Sequence, residues 1–279
     1  MEGLLEQRDP RRRRDQDPVG IPWRYDRPAD REVASLVTAC LAYGQVELLR
    51  DAANRALEPL GPTPAARLQD RGVPADAYDG FTYRMTKGPD LVDLLEAIRS
   101  ALTEHGSLEA VYAGRVSASG ISDDDTDPTA LHRERASAFV RWLRSARRRE
   151  ELARGFTYLL PDPADGSACK RLHLFFRWMV RGPDGVDMGL WDAADPSELL
   201  MPLDTHTSRL CRYIGLTDRK SVDGKMARIV TRRLRELDPQ DPVKYDFALC
   251  HLGISEDCIH TRSEEHCPGC PIEAICTLD

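Results

Sequence analysis

Four cysteines near the C-terminus are the residues whose type and spacing are best suited to chemistry. The four are Cys258, Cys267, Cys270 and Cys276, and eight, two and five residues lie between successive members. Four thiolates in so short a segment can surround one metal centre, and a turn at Pro268-Gly269 would direct the middle two sulfurs to the same side. Structural zinc usually takes two close pairs of ligands, and only one close pair is present. The spacing therefore favours a [4Fe–4S] cluster over zinc or free thiols.

Composition predicts a reduced, cytoplasmic protein. The chain has 279 residues and eight cysteines, and its first residues are charged and rich in proline, unlike a secretory signal. Thiols and metal ligands are therefore favoured over disulfides. No apolar run approaches the roughly 18 residues of a membrane span, so we expect no membrane partner. A net charge of −7 counts against a uniformly basic nucleic-acid binder, but it is compatible with a local basic face.

The elements that must position the cysteines are predicted to be helices. Apolar residues recur at helical spacing from Val33 to Leu41, after a plausible N-cap at Asp30. Further helices are predicted around 91–103, 106–113, 131–148, 150–158, 172–180 and 224–237, with another beginning at Asp241-Pro242. Residues 117–129 and 181–198 are expected to be loops. No segment alternates apolar and polar residues over a convincing length, so the predicted fold class is all-α.

Several segments, together with the cysteine pattern, resemble a known superfamily. They read GSACKRLHLFFRWMVRGPDGVDMGLW, LDTHTSRL and DPVKYDFALCHLG. The second is similar to the V-D-T-H-x-x-R-[VL] segment of the helix-hairpin-helix DNA glycosylases. The last two cysteine gaps match those of the endonuclease III-like members that carry an iron–sulfur loop, whereas the first gap is two residues longer. The chain resembles most closely a bacterial branch of this superfamily to which no activity is assigned.

The resemblance implies a two-lobed, DNA-glycosylase-like helical fold with a C-terminal iron–sulfur loop. Residues 1–31 would be an arm packing on the cluster lobe, 32–182 a helical lobe ending in a hairpin-like element, and 183–279 the lobe with the catalytic aspartate and the cluster. The implied function is a monomeric DNA N-glycosylase of base excision repair, with AP-lyase activity as an option, acting on a flipped damaged base. The alternatives are a non-catalytic nucleic-acid-binding or damage-recognition protein on the same scaffold, and a hydrolase of free nucleosides.

Two residues take the catalytic positions that the resemblance implies. Asp204 matches the carboxylate that stabilises positive charge developing on the sugar, and Lys170 matches the amine that attacks C1′ in bifunctional members. An amine nucleophile must be neutral, which requires a depressed pKa. Simpler interpretations remain open, because Asp204 also suits a helix N-cap and Lys170 a solvated helix start.

Four residues are predicted to contact DNA. Gln45 aligns with the polar residue that relatives insert into the duplex, although Gly44-Gln45 also suits a helix–helix turn. Gly166 is the first glycine of the phosphate-binding hairpin, but Ala168 replaces the second and resists close approach of a phosphate. Arg177 and Arg181 are four residues apart on a predicted helix, so they are neighbours and suit binding of phosphate or carboxylate.

Overall fold

The chain is mainly helical, as a computed structural model of residues 13–114, 127–254 and 258–278 shows. The α-helices in these ranges are α1 (Pro28–Leu41), α2 (Val46–Leu57), α3 (Pro64–Arg71), α4 (Gly88–His105), α5 (Leu108–Ala113), α6 (Ala130–Ser145), α7 (Arg154–Leu159), α8 (Lys170–Val180), α9 (Thr205–Tyr213), α10 (Gly224–Arg235) and α11 (Asp246–Ile254). The prediction of an all-α fold class is confirmed at this level. None of the helices in the described ranges combines the length and apolar character needed to cross a membrane.

Several elements differ from their predictions. Helix α1 begins at Pro28, so Asp30, predicted as its N-cap, lies inside its first turn, where its Oδ1 accepts from the amide of Ala65 at 2.9 Å. A small antiparallel hairpin pairs β1 (Thr82–Tyr83) with β2 (Thr86–Lys87), and its two-residue strands are too short to show an alternating pattern in the sequence. The last helix begins at Asp246 rather than at Asp241-Pro242, which instead opens a turn. Most of the predicted loop 117–129 lies outside the described residues, which resume at Asp127.

Helix α1 is the centre of the larger lobe. Pro28 is its first residue, where the missing amide hydrogen costs no helical hydrogen bond. From Glu32 to Leu41 every side chain is buried, so the helix has neighbours on all sides rather than one apolar stripe. Helix α8 packs directly against it. This contact fixes the start of α8, and with it Lys170, relative to the body of the lobe.

The buried residues form two hydrophobic cores. The first core uses residues between Val19 and Leu199 together with Val243, and we call the described residues of 13–114 and 127–199 the first lobe. The second core uses residues between Met201 and Ile272, and residues 201–278 are the second lobe. The chain therefore changes lobes at residue 200.

This division differs from the predicted boundary at residue 183. Segment 183–199 was expected in the cluster lobe, but Val186, Met188 and Trp191 are buried in the first core. The indole Nε1 of Trp191 donates to Glu32 of α1 at 2.7 Å, which anchors the segment there. The described part of the predicted arm contacts both lobes, because Val19 and Ile21 belong to the first core and Asp17 pairs with His251 of α11 at 3.3 Å.

Candidate functional site

A cleft with a volume of 1310 Å³ is lined by residues of both lobes. The first lobe contributes the α1–α2 loop, α7, the hairpin-like segment 161–169 and the start of α8. The second lobe contributes the N-terminus of α9 and one side of α11. Pockets between lobes commonly bind ligands because side chains from separate elements converge there. The predicted catalytic residues Asp204 and Lys170 both line this cleft.

Asp204 and Lys170 form an ion pair in the cleft. Lys170 Nζ donates to Asp204 Oδ2 at 2.8 Å, and both side chains are about a quarter exposed or less, at 28% and 21%. Asp204 is also the N-cap of α9, because its Oδ1 accepts from the amide of Thr207 at 2.9 Å. The two interpretations of Asp204 are therefore compatible: one oxygen caps the helix and the other faces the lysine.

The surroundings keep both members of this pair charged. Burial raises the pKa of Asp204, but the ammonium of Lys170 and the amide of Thr207 outweigh burial and lower it. Burial lowers the pKa of Lys170, but Cys250, Asp204 and Asp246 outweigh it and raise that pKa. Because burial also raises the pKa of Cys250 to about 12, its thiol is neutral at physiological pH and the two carboxylates act alone there.

This geometry contradicts the requirement for a nucleophilic amine. A Schiff base needs a neutral lysine, which burial or a neighbouring cation would favour. Lys170 instead donates to the ionised carboxylate of Asp204, so it is an ammonium ion. Its role in the structure is to hold and neutralise part of the charge of Asp204.

Asp246 is a site residue that the sequence did not predict. It is the first residue of α11, lines the cleft and is 3% exposed. Burial raises its pKa to about 6, although Arg177 and Lys170 oppose that effect. The signal that could have identified it was its place in the DPVKYDFALCHLG block, where it was noted only as part of the resemblance.

Arg177 and Arg181 bind carboxylates of the chain itself. Arg177 is 2% exposed and pairs with Asp246 of the second lobe and with Asp187 at 3.1 Å. Arg181 pairs with Asp187 at 2.8 Å and Asp241 at 2.7 Å, and also with Asp184. The two neighbouring arginines were predicted to bind phosphate or carboxylate, and in the structure they bind carboxylates of the chain. Neither guanidinium is therefore free to contact DNA as predicted. Spacing alone shows that two arginines are neighbours, but not that both are covered.

The hairpin-like segment has its left-handed positions at Gly166 and Cys169. Their φ angles are 81° and 42°, whereas Ala168 does not have a positive φ. The replacement of the second glycine by alanine therefore requires no strained backbone, and the strain falls on Cys169 instead. Gly166 is exposed, with open space where a Cβ would lie, and its carbonyl accepts from the amide of Gly224 at 2.9 Å. The hairpin is thus held against the start of α10.

Gln45 lies at the mouth of the cleft, beside an aromatic wall. It is exposed at the N-terminus of α2, directly after Gly44, whose φ is 91°. The expected helix–helix turn is present and Gln45 lines the cleft, while its insertion into a duplex remains a prediction. Beside it, the guanidinium of Arg171 lies over the rings of Tyr43, at 4.9 Å, and Tyr158, at 4.5 Å. Tyr158 is 40% exposed, so this wall has an accessible aromatic surface.

The predicted loop 181–198 does not line the cleft. Its buried side chains belong to the first core. Asp187 of this loop pairs with Arg177, which also pairs with Asp246.

The four C-terminal cysteines lie together in a half-buried loop of the second lobe. Cys258 and Cys270 pack against the second core, and Cys267 and Cys270 flank a tight turn in which Gly269 has a φ of 81°. The amide of Ser263 donates to Cys267 Sγ at 3.3 Å. Burial raises the pKa of Cys270, against the opposing effect of a backbone hydrogen bond from Ile272.

This donor set suits an iron–sulfur cluster in its chemistry. It offers four thiols, partial burial and an amide donor to sulfur, which are features that clusters use. Yet among the described residues, these cysteines included, no three His, Cys, Asp or Glu side chains are arranged to hold one metal ion. The prediction of Cys258, Cys267, Cys270 and Cys276 as ligands therefore remains a prediction.

Comparison with known proteins places the chain in a family. No curated protein matches it. A family model described as a protein of unknown function, DUF2400, matches residues 17–255. The matched range includes the cleft residues Lys170, Asp204 and Asp246 and ends before the first cysteine of the C-terminal loop. Because the match covers well over half of the sequence, the chain belongs to the DUF2400 family.

Proposed function

We propose that this protein is a DNA N-glycosylase that removes a damaged base by hydrolysis. One observation carries the proposal: an ionised carboxylate, Asp204, is held at a helix N-terminus in a cleft between two helical lobes. Cleavage of an N-glycosidic bond places positive charge on the sugar. A fixed carboxylate in a partly buried site stabilises that charge more than water does, because the local dielectric constant is lower.

The role of Lys170 in this proposal is electrostatic. It holds one oxygen of Asp204 in place and keeps the carboxylate ionised without acting as a nucleophile. Hydrolysis therefore fits the geometry better than the lyase reaction, which proceeds through a covalent amine adduct. The water that attacks C1′ would take its place on the side that Asp204 faces.

The dimensions of the cleft favour a polymeric substrate. Its 1310 Å³ exceeds the roughly 300–1,000 Å³ of typical small-molecule pockets, which counts against a hydrolase of free nucleosides. Basic residues of the first lobe line the same cleft, among them Arg84 and the exposed Arg154. The lining is of mixed charge, since Asp17, Asp162 and Asp165 also belong to it. Exposed Arg84 and Arg154 would therefore form the local basic face that contacts a phosphate backbone.

We propose further that the four C-terminal cysteines bind a [4Fe–4S] cluster, with zinc as the alternative. The cluster would hold the C-terminal loop against the second core, a structural role. The tail is already attached to α9 through the amide of Thr277, which donates to the carbonyl of Tyr213 at 2.7 Å. No step of the proposed reaction involves the cluster.

A non-catalytic nucleic-acid-binding protein is the second candidate. Its support is the ion pair itself, because in this structure Lys170 occupies one oxygen of the only carboxylate that the resemblance assigns to catalysis. A binding protein would need the cleft and the basic face but would not catalyse a reaction.

The deciding experiment is excision from a panel of duplexes that each contain one damaged base. We expect the wild type to release at least one base, and Asp204→Asn to lose about 10²-fold to 10³-fold in rate while still binding the duplex. Asparagine caps a helix as well as aspartate does, so the variant should fold.

Asp238→Asn is the matched control. Asp238 also pairs with a lysine, Lys244 at 2.7 Å, and accepts backbone amides, but it lies outside the cleft. Its variant should excise at the wild-type rate. Salt-sensitive binding without release of any base would instead support the binding protein, and neither binding nor release would refute both candidates.

A further inference from the structure

Two carboxyl groups with opposite tendencies lie in the same cleft. Asp204 pairs with Lys170 at the N-terminus of α9, whereas Asp246 pairs with Arg177 and lies deeper, at the start of α11. We propose that Asp246 is the general acid that protonates the departing base, while Asp204 stabilises the sugar. This inference rests on the proposed glycosylase function and assigns a catalytic role that neither the family description nor the resemblance supplies.

The position of Asp246 suits a proton donor to a deeply inserted base. Its side chain is 4% exposed, compared with 21% for Asp204, so it lies farther from solvent along the same cleft. Cys250, one turn further along α11, lines the cleft beside it and provides a neutral, weakly polar neighbour. A base that enters past Asp204 would therefore approach Asp246 while its sugar lies beside Asp204.

The charged cluster around Asp246 contains more carboxylates than cations. Its cations are Lys170, Arg177 and Arg181, and its carboxylates are Asp184, Asp187, Asp204, Asp241 and Asp246. The other ionisable groups near Asp246 are the thiols of Cys211 and Cys250 and, through Arg177, the carboxylate of Asp17. Two of these carboxylates, Asp187 and Asp246, have side chains that are only 1% and 4% exposed, and both pair with Arg177. Ionising both buried groups beside one buried cation is costly, which favours retention of a proton.

The pKa values of Asp187, Asp241 and Asp246 are raised, mainly by burial, whereas that of Asp204 is lowered, and of the three raised groups only Asp246 lines the cleft. Burial, with repulsion from Asp204 and Asp187, raises the pKa of Asp246 to about 6. Lys170 lowers the pKa of Asp204 against the effect of burial. Two carboxyl groups whose pKa values are separated in this way can act as acid and as charge stabiliser in one reaction.

The proposed step balances in charge and atoms. The bond between C1′ and the base nitrogen breaks, its electron pair goes to the base, and the proton of the Asp246 carboxyl goes to the same base. Water then forms a bond to C1′ and loses a proton to Asp204, which passes it to solvent. Solvent reprotonates Asp246, so the net reaction is hydrolysis.

The test compares two leaving bases on the same DNA sugar, one ordinary and one electron-poor. An electron-poor base departs as an anion and needs little protonation. Asp246→Asn should slow release of the ordinary base by about 10²-fold to 10⁴-fold and release of the electron-poor base by less than about tenfold. Asp241→Asn is the control, because Asp241 pairs with Arg181 in the same cluster but does not line the cleft.

The pH profile supplies a second readout. The acid must be protonated, so wild-type excision of the ordinary base should fall as pH rises through about 6, the pKa of Asp246, and Asp246→Asn should lack that decline. If the variant does not fold, the wild-type profile decides alone, and a rate independent of pH through this range overturns the proposal. Equal rates and profiles in wild type and variant would overturn the role of Asp246 but leave the glycosylase function standing. A wild type that releases neither base refutes both.

Discussion

At the scale of single residues, one side chain can serve a structural and a chemical role together. Asp204 caps α9 through one oxygen and meets Lys170 through the other. The N-terminus of a helix favours a negative charge, so the cap and the ionised state support each other. Cap propensity and catalytic resemblance are therefore not competing explanations for this residue.

The charge state of Lys170 leads to a prediction at this scale. Because its pKa is raised by Asp204 and Asp246, wild-type protein should give no borohydride-trapped adduct with abasic DNA at neutral pH. Asp204→Asn removes one of the carboxylates and should permit at most a slow, alkaline-favoured adduct. Mass spectrometry of the digested protein checks both results, and a wild-type adduct located on Lys170 would contradict the prediction.

At the scale of elements, close packing of two helices positions residues of the cleft. Helices α9 and α11 approach closely because Gly253 has no side chain: a Cβ there would lie 3.2 Å from Leu210 and 3.4 Å from the Cβ of His206. This approach brings Asp246 near Asp204. The same two helices lie beside the loop that contains the cysteines. They therefore support both this loop and the second-lobe side of the cleft.

The cysteine loop provides the prediction at the element scale. Cys270→Ser should abolish visible absorption and reduce bound iron from about four atoms per chain to a small fraction. Cys250→Ala serves as the control, since this cysteine lines the cleft and lies outside the loop. Protein purified without oxygen, analysed for iron, sulfide and zinc, gives the measurement. Zinc in place of iron would support the alternative metal, and the absence of both would contradict the metal site.

At the scale of the whole molecule, Arg177 joins the two lobes. It projects from α8 of the first lobe and binds Asp246 of the second, with Asp187 on its other side. Its side chain is 3% exposed, so the pairs are shielded from solvent and salt. The orientation of the lobes, and hence the shape of the cleft, depends on this buried contact.

Removing this cation should cost far more stability than removing one at the surface. We expect Arg177→Met to lower the free energy of unfolding by about 3–5 kcal/mol, because two buried carboxylates lose their partner. Arg233→Met removes an exposed pair with Glu236 and should cost about 0–1 kcal/mol. Urea denaturation of both variants measures the difference. The loss in Arg177→Met should shrink in mild acid, where the stranded carboxylates take up protons, and equal losses in the two variants would contradict the prediction.

Much of the local structure was predictable from sequence because its causes are local. Helix α1 follows from apolar residues that recur at helical spacing, and the start of α9 follows from an aspartate that caps the amides of its first turn. The small hairpin at residues 82–87 was not predictable, since two-residue strands leave no periodic signal. The place of segment 183–199 was missed because Trp191 finds its partner in Glu32, far away in sequence.

The sequence by itself determined the helical class, the cysteine spacing and the identity of the candidate carboxylate and lysine. Each of these depends on residues close together in the chain or on a resemblance to known segments. Only the tertiary structure decided that Lys170 is charged, that Arg177 and Arg181 are occupied, and that Asp246 shares the cleft. Charge state and accessibility depend on which groups meet in space and how much water surrounds them, and residue spacing records neither.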